Sequence, residues 1–174
     1  MTAHAPSNPG GAVFLSYAHE DTETAQRVAE MLRAAGVEVW FDQNELRGGD
    51  AWDQKIRRQI RDCALFVPVI SPRTQARAEG YFRLEWKLAA ERTHLMADGV
   101  PFLVPVAVGG VREGKALVPV EFTRVQWTRI GPDGPDVAFA ELVRGLLSRP
   151  RAVPGGGVPG SAVGPVVAPV PSRS

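Results

Sequence analysis

Apolar and polar positions divide the chain into short continuous runs and longer periodic ones. Residues 12 to 16 are apolar until Ser16, which suits a strand buried on both faces. Ala25, Val28, Ala29, Leu32 and Ala35 then recur at three- and four-residue steps, the stripe of an amphipathic helix. Asp21 or Thr22 can cap that helix, and Gly36 supplies its stop. Residues 37 to 41 read as a second strand. Asp50 caps a second helix whose Trp52, Ile56, Ile60 and Cys63 share one side. Residues 64 to 70 form a third apolar run, ended by Ser71-Pro72. Pro68 inside it removes a ladder donor, so that strand should be irregular there or pair mainly through its other edge. A linker over 73 to 79 leads to the longest helix, roughly 80 to 96. Residues 101 to 108 and 123 to 127 read as the last two strands. Residues 136 to 147 form a closing helix that offers Val137, Ala140, Leu142 and Leu146 to the core.

Strand and helix alternate throughout, which predicts a parallel sheet with helices on both faces. Five strands match a flavodoxin-like three-layer α/β sandwich with strand order 2-1-3-4-5. Ligands of such folds bind beyond the carboxyl ends of the strands, where the order reverses. Here those ends are Ser16-Tyr17 and Ser71-Pro72.

Composition narrows this further. With 174 residues and 44% hydrophobic content, the chain can build one domain with a core. A net charge of +1 predicts neither nucleic-acid nor anionic-membrane binding. Lys55, Arg57, Arg58 and Arg61 read as a solvated helix face. Cys63 is the lone cysteine, so no intrachain disulfide can form, and a buried thiol at a helix–strand junction is expected. Residues 1 to 10 are polar and carry no apolar segment of a signal peptide. No run of about 18 apolar residues exists. These features point to a cytoplasmic chain. Beyond residue 148 the composition turns to Pro, Gly, Val and Ala. The segment 149 to 174 reads as a disordered tail or a linker to a further domain. The ordered domain is therefore expected over 11 to 148.

Glu85 is the most conspicuous candidate for chemistry. It lies one turn after Tyr81 and near Leu84 and Leu88 on the same helix, close to the amino end. A carboxylate beside an apolar stripe is expensive to bury unless it is paired or functional. It can sit at the edge of the stripe and pair with Lys87 or Arg92, or it can serve a site. The histidines His4, His19 and His94 lack ligand spacing, so no metal site is expected. No glycine-rich phosphate loop is present. An aspartate at the end of the third strand, which a phosphoacceptor receiver needs, is replaced by Ile70-Ser71-Pro72.

Three segments together resemble the Toll/interleukin-1 receptor (TIR) domain family. Val13 to Tyr17 is similar to its box 1. Glu45-Leu46-Arg47-Gly48-Gly49 is similar to its BB loop, with Gly-Gly where Pro-Gly is usual. Tyr81 to Glu85 is similar to its Trp-x-x-x-Glu segment, with tyrosine in the aromatic place. In NAD-cleaving members that glutamate is essential. The resemblance therefore implies an NAD+ nucleosidase with Glu85 as catalytic residue. NAD+ would be a substrate, and no cofactor is implied. Ser16, Tyr17, Ala18 and His19 would line the entrance after the first strand. Asp42, Glu45, Leu46, Arg47 and Gly49 would shape the BB-loop side. Trp52, Ser71 and Tyr81 would complete the substrate contacts, while Trp40, Trp86 and Trp127 read as packing residues. The products would be nicotinamide and ADP-ribose or a cyclic isomer. Self-association through residues 43 to 50 would activate the enzyme, with a role in bacterial defence or signalling. The alternative is a non-catalytic scaffold for TIR–TIR contacts. A nucleoside-processing transferase of similar fold is disfavoured by the first two segments.

Overall fold

The computed structural model describes residues 11–41 and 49–149. Its elements in chain order are β1 (Val13–Ser16), α1 (Thr22–Ala34), β2 (Val39–Trp40), α2 (Asp50–Asp62) and β3 (Leu65–Ile70). They continue with α3 (Pro72–Ala76), α4 (Tyr81–Thr93), β4 (Val106–Ala107), β5 (Thr128–Arg129) and α5 (Val137–Leu147). The strands pair in the order β2-β1-β3-β4-β5, all parallel. The expected flavodoxin-like fold and strand order are present.

Side-chain alternation along β1 divides the core into two halves. Val13 and Leu15 pack with Val28 and Leu32 of α1 and Phe139 and Val143 of α5. Phe14 faces the other way and joins Phe66, Ile56 and Ile60 of α2 and Phe82 and Trp86 of α4. Ser16 shares the parity of Phe14 and ends the strand toward α2 and α4. Cys63 is fully buried, and its thiol donates to the Ile60 carbonyl at 3.4 Å.

Pro68 divides the sheet. β1 pairs continuously with β3 from Val13↔Leu65 to Ser16↔Pro68. On the opposite edge, Phe66 N–H donates to the Phe102 carbonyl, so position 68 also faces that side, two residues on. Proline has no donor to offer there. The ladder to β4 accordingly breaks between the Phe66↔Leu103 bridge and the Val69↔Val106 pair. This is why β4 is shorter than the apolar run from 101 to 108, although Phe102, Leu103 and Val104 are buried.

Several expectations need correction. Asp50 is the first residue of α2, and Gly49 takes the cap position with no side-chain cap. The fifth strand lies at Thr128–Arg129, one step beyond residues 123 to 127. Val120–Arg124 is a 3-10 turn, and the Trp127 indole turns inward to donate to the Phe122 carbonyl at 2.8 Å. The linker over 73 to 79 contains α3. There Ser71 and Thr74 cap each other reciprocally, and Pro72 occupies the first helical position. On α5 the buried stripe is Phe139, Ala140, Val143 and Leu147, while Val137 and Leu142 are 66% and 44% exposed. The Asp136 side chain accepts from Phe139 N–H and sets the helix start, so the bulkiest apolar residue leads the inward face.

Candidate active site

A cleft opens where β1 ends between α2 and α4. It is narrow and is walled by Phe14, Trp40, Trp52, Ile56 and Tyr81. Glu85 and Gln59 supply its polar side chains, and Leu15 and Tyr17 also line it. Helical spacing builds the walls. Trp52, Ile56 and Gln59 fall at i, i+4 and i+7 on α2, and Tyr81 and Glu85 at i and i+4 on α4. Gly49 takes φ +145 at the amino end of α2, a conformation that side-chain-bearing residues rarely adopt.

The central contact is between Ser16 and Glu85. The Ser16 hydroxyl donates to Glu85 Oε1 at 2.6 Å across 69 positions of sequence. Ser16 is buried and Glu85 half-buried, so one carboxylate oxygen is held from the strand side. A carboxylate fixed among aromatic faces can stabilise positive charge developing in a bound molecule, and more strongly than in water.

The other expected site residues are distributed unevenly. Tyr17 is buried, with its ring stacked on Phe41 at 5.0 Å. Ala18 is fully buried, and His19 is exposed in a 3-10 turn. Ser71 lies away from this cleft. It is fully buried, donates its hydroxyl to Asp21, and accepts from Thr74 N–H at 3.1 Å. Asp42, Glu45, Leu46 and Arg47 lie outside the described residues. Trp86 is fully buried in packing, as read from sequence, but Trp40 lines the cleft. Gln59 and Ile56 were also not anticipated as walls. Their position on the Trp52 stripe was the available signal.

Asp21 or Thr22 was expected to cap α1, yet the Asp21 side chain makes no capping bond and the Thr22 hydroxyl donates to the His19 carbonyl. Asp21 turns toward the end of β3, where it accepts from Ser71 and from Arg73 Nη1 at 3.2 Å. Burial pushes its carboxyl above the usual range, and the bonds to Ser71 and Arg73 oppose that only in part. Together with the Glu20–Arg77 ion pair at 3.1 Å, this contact fastens the segment after β1 to the segment after β3.

Among the described residues there is no cluster of metal-ligating side chains, and no helix is long and apolar enough to cross a membrane.

Comparison with known proteins assigns the family. The TIR domain family model matches residues 13–143. The NAD(+) hydrolase PdTIR of Paracoccus denitrificans is 33% identical over 81 residues, covering 46% of this chain and 25% of that protein. The 2' cyclic ADP-D-ribose synthase BtTIR of Bacteroides thetaiotaomicron is 40% identical over 60 residues, covering 34% and 21%. The NAD(+) hydrolase TcpA of a Theionarchaea archaeon is 32% identical over 105 residues, covering 58% and 30%. The chain thus spans less than a third of the length of these relatives. Among solved structures, a metazoan TIR-STING receptor from C. gigas superposes with a TM-score of 0.60 at 19% identity. That match covers 86% of this chain and 42% of the receptor, and the likeness concerns the fold alone. The chain belongs to the TIR domain family.

Proposed function

We propose that this TIR domain cleaves the bond between nicotinamide and ribose in NAD+. The observation that carries the reading is the Ser16-held Glu85 carboxylate at the rim of an aromatic cleft. The curated relatives, two named NAD(+) hydrolases and one a 2' cyclic ADP-D-ribose synthase, supply the substrate class. In the reaction the C1′–N1 bond breaks and its electron pair leaves with nicotinamide, which departs neutral. The ribose carbon develops oxocarbenium character, and Glu85 stabilises that charge while orienting the ribose hydroxyls. Tyr81 and Trp52 offer ring faces to the nicotinamide or ribose. Water adds to the cation and loses a proton, giving ADP-ribose. Capture by a ribose hydroxyl or the adenine of the same molecule gives a cyclic isomer instead.

Contacts of residues 43 to 50 with a second copy activate the domain, and NAD+ loss or the nucleotide product serves defence or signalling. Proton NMR of NAD+ incubated with the full chain tests the proposal. The nicotinamide ring resonances should move to those of the free base, more steeply than in proportion to protein. NAD+ unchanged at every protein concentration, also with a crowding agent, would replace the enzyme with a scaffold for TIR–TIR contacts.

A further inference from the structure

A second cleft lies beyond the carboxyl ends of β4 and β5, on the α1 side, and shares no residue with the Glu85 cleft. It is open to solvent and is the larger of the two. Arg27 of α1, Arg73 and Arg129 reach it from three separate elements, with the Thr24 hydroxyl beside them. None of its lining side chains is a carboxylate, and Asp133 in the adjoining turn does not line it. Arg27 and Arg73 each have one acidic partner, Glu23 and Asp21, and remain half-exposed or more. Arg129 is exposed, and among the described residues no carboxylate pairs with it.

The Gly109-Gly110 turn forms the shared wall between this cleft and a neighbouring one that holds Arg112 and Lys115. Both glycines have positive φ, +67 and +80. A Cβ at 109 would come within 2.8 Å of the Pro72 ring, so the bare backbone packs there directly. The Pro72 ring packs against Gly109, no atom lies within 4 Å of where a Cβ on Gly110 would sit, and the N–H groups of both glycines donate to no protein acceptor among the described residues. Guanidinium forks, a hydroxyl and bare backbone donors around a concavity match the chemistry of phosphate oxygens.

We propose that this cleft binds a soluble diphosphate ester. Arg27, Arg73 and Arg129 take one phosphate, and Arg112 and Lys115 take the other, on either side of the Gly109-Gly110 ridge. Two basic groups on either side of the glycine turn favour a diphosphate over a single phosphate. The inference goes beyond the proposed NAD+ cleavage and does not depend on it.

Isothermal titration of the full chain with inorganic pyrophosphate and with ADP, at low salt, tests it. Saturable binding is expected, weakening as salt rises. Arg129→Ala should weaken it about tenfold, the loss of one charge-assisted contact, and Arg129→Glu should remove it. Arg27→Ala provides a second variant on another element, and circular dichroism melts confirm that both remain folded. Glu85→Gln should bind pyrophosphate as the wild type does. Absent saturable binding overturns the proposal. So does binding that survives both Arg129 variants, binding lost in Glu85→Gln instead, or binding only to vesicles carrying phosphoinositide.

Discussion

Replacing Ser16 by alanine separates the role of Glu85 as a held carboxylate from its mere presence. The substitution removes the Ser16 hydroxyl that donates to Glu85 Oε1 at 2.6 Å and keeps the carboxylate in the chain without that hold. A hydrogen bond to a charged group contributes about 1.5–3 kcal/mol. Glu85 is half-buried, so water can take the vacated place, and the lower end of that range applies. About 1.5 kcal/mol corresponds to roughly a tenfold lower kcat/KM. If Ser16 aims the carboxylate at charge that exists only in the transition state, the loss appears in kcat while KM stays the same. The effect on folding should be small. Ser16 is buried and nearly the size of alanine, so unfolding free energy should fall by about 1 kcal/mol, a few degrees of Tm. The assay is initial-rate nicotinamide release across NAD+ concentrations, beside a thermal melt. An unchanged kcat refutes the orienting role. A loss of kcat that merely tracks a loss of folded protein assigns Ser16 to the core instead.

The remaining predictions concern the frame around the cleft. Asp21→Ala leaves the buried Ser71 hydroxyl without its acceptor and should cost about 1–3 kcal/mol in urea unfolding, whereas Asp21→Asn keeps an acceptor and should cost less. A loss in Asp21→Asn equal to that in Asp21→Ala would contradict this. Because burial raises the Asp21 carboxyl, the folded chain holds that proton more tightly than the unfolded chain. The contribution is full below the unfolded value of about 3.9 and is lost as pH rises through the folded value. The melting temperature of Asp21→Asn relative to wild type should therefore climb from about pH 4 to pH 7, and a constant or falling difference would contradict the burial argument. Ile60→Ala opens the packing between α2 and the sheet and should destabilise by about 2–5 kcal/mol. A loss below about 1 kcal/mol would mean that the site collapses around the gap. Arg83 donates to the carbonyls of Thr74, Arg77 and Leu117 while lying over the Phe82 and Trp86 rings. Lysine cannot reproduce that fork, so Arg83→Lys should lower Tm measurably. An unchanged Tm would show that the three carbonyls find water as readily.

Much of the fold was readable because each core strand is a short apolar run and each helix a periodic one. Parallel order followed from that alternation. Pro68 was legible too, since a missing donor has one consequence in a ladder, and the break opposite β4 follows it. The errors arose where several phases of one pattern were equally apolar. On α5, Val137 and Leu142 compete with Phe139 and Val143, and only contacts with β1 and α1 decide between them. β5 is set by ladder bonds from Thr128 and Ile130 to carbonyls of residues 105 and 107, distant partners that no local propensity encodes. Glu85 stood out as a charge beside an apolar stripe. Its partner Ser16 is 69 positions away, so the bond itself could not be read in advance. Asp21 looked like an ordinary cap because the sequence places it correctly for one. Its contacts with Ser71 and Arg73 arise only after β1 and β3 pair. Trp40 lies at the end of β2, and which side of that strand meets α2 depends on the same pairing.

Nicotinamide release from NAD+ by the wild-type chain and by Glu85→Gln, measured side by side at equal folded concentration, bears most directly on the central claim. Glutamine keeps the shape of the side chain and can still accept from Ser16, but it removes the negative charge. The account predicts release by the wild type and none above background from the variant, with the two melting at similar temperatures. Equal release by both would contradict it and move the chemistry away from Glu85.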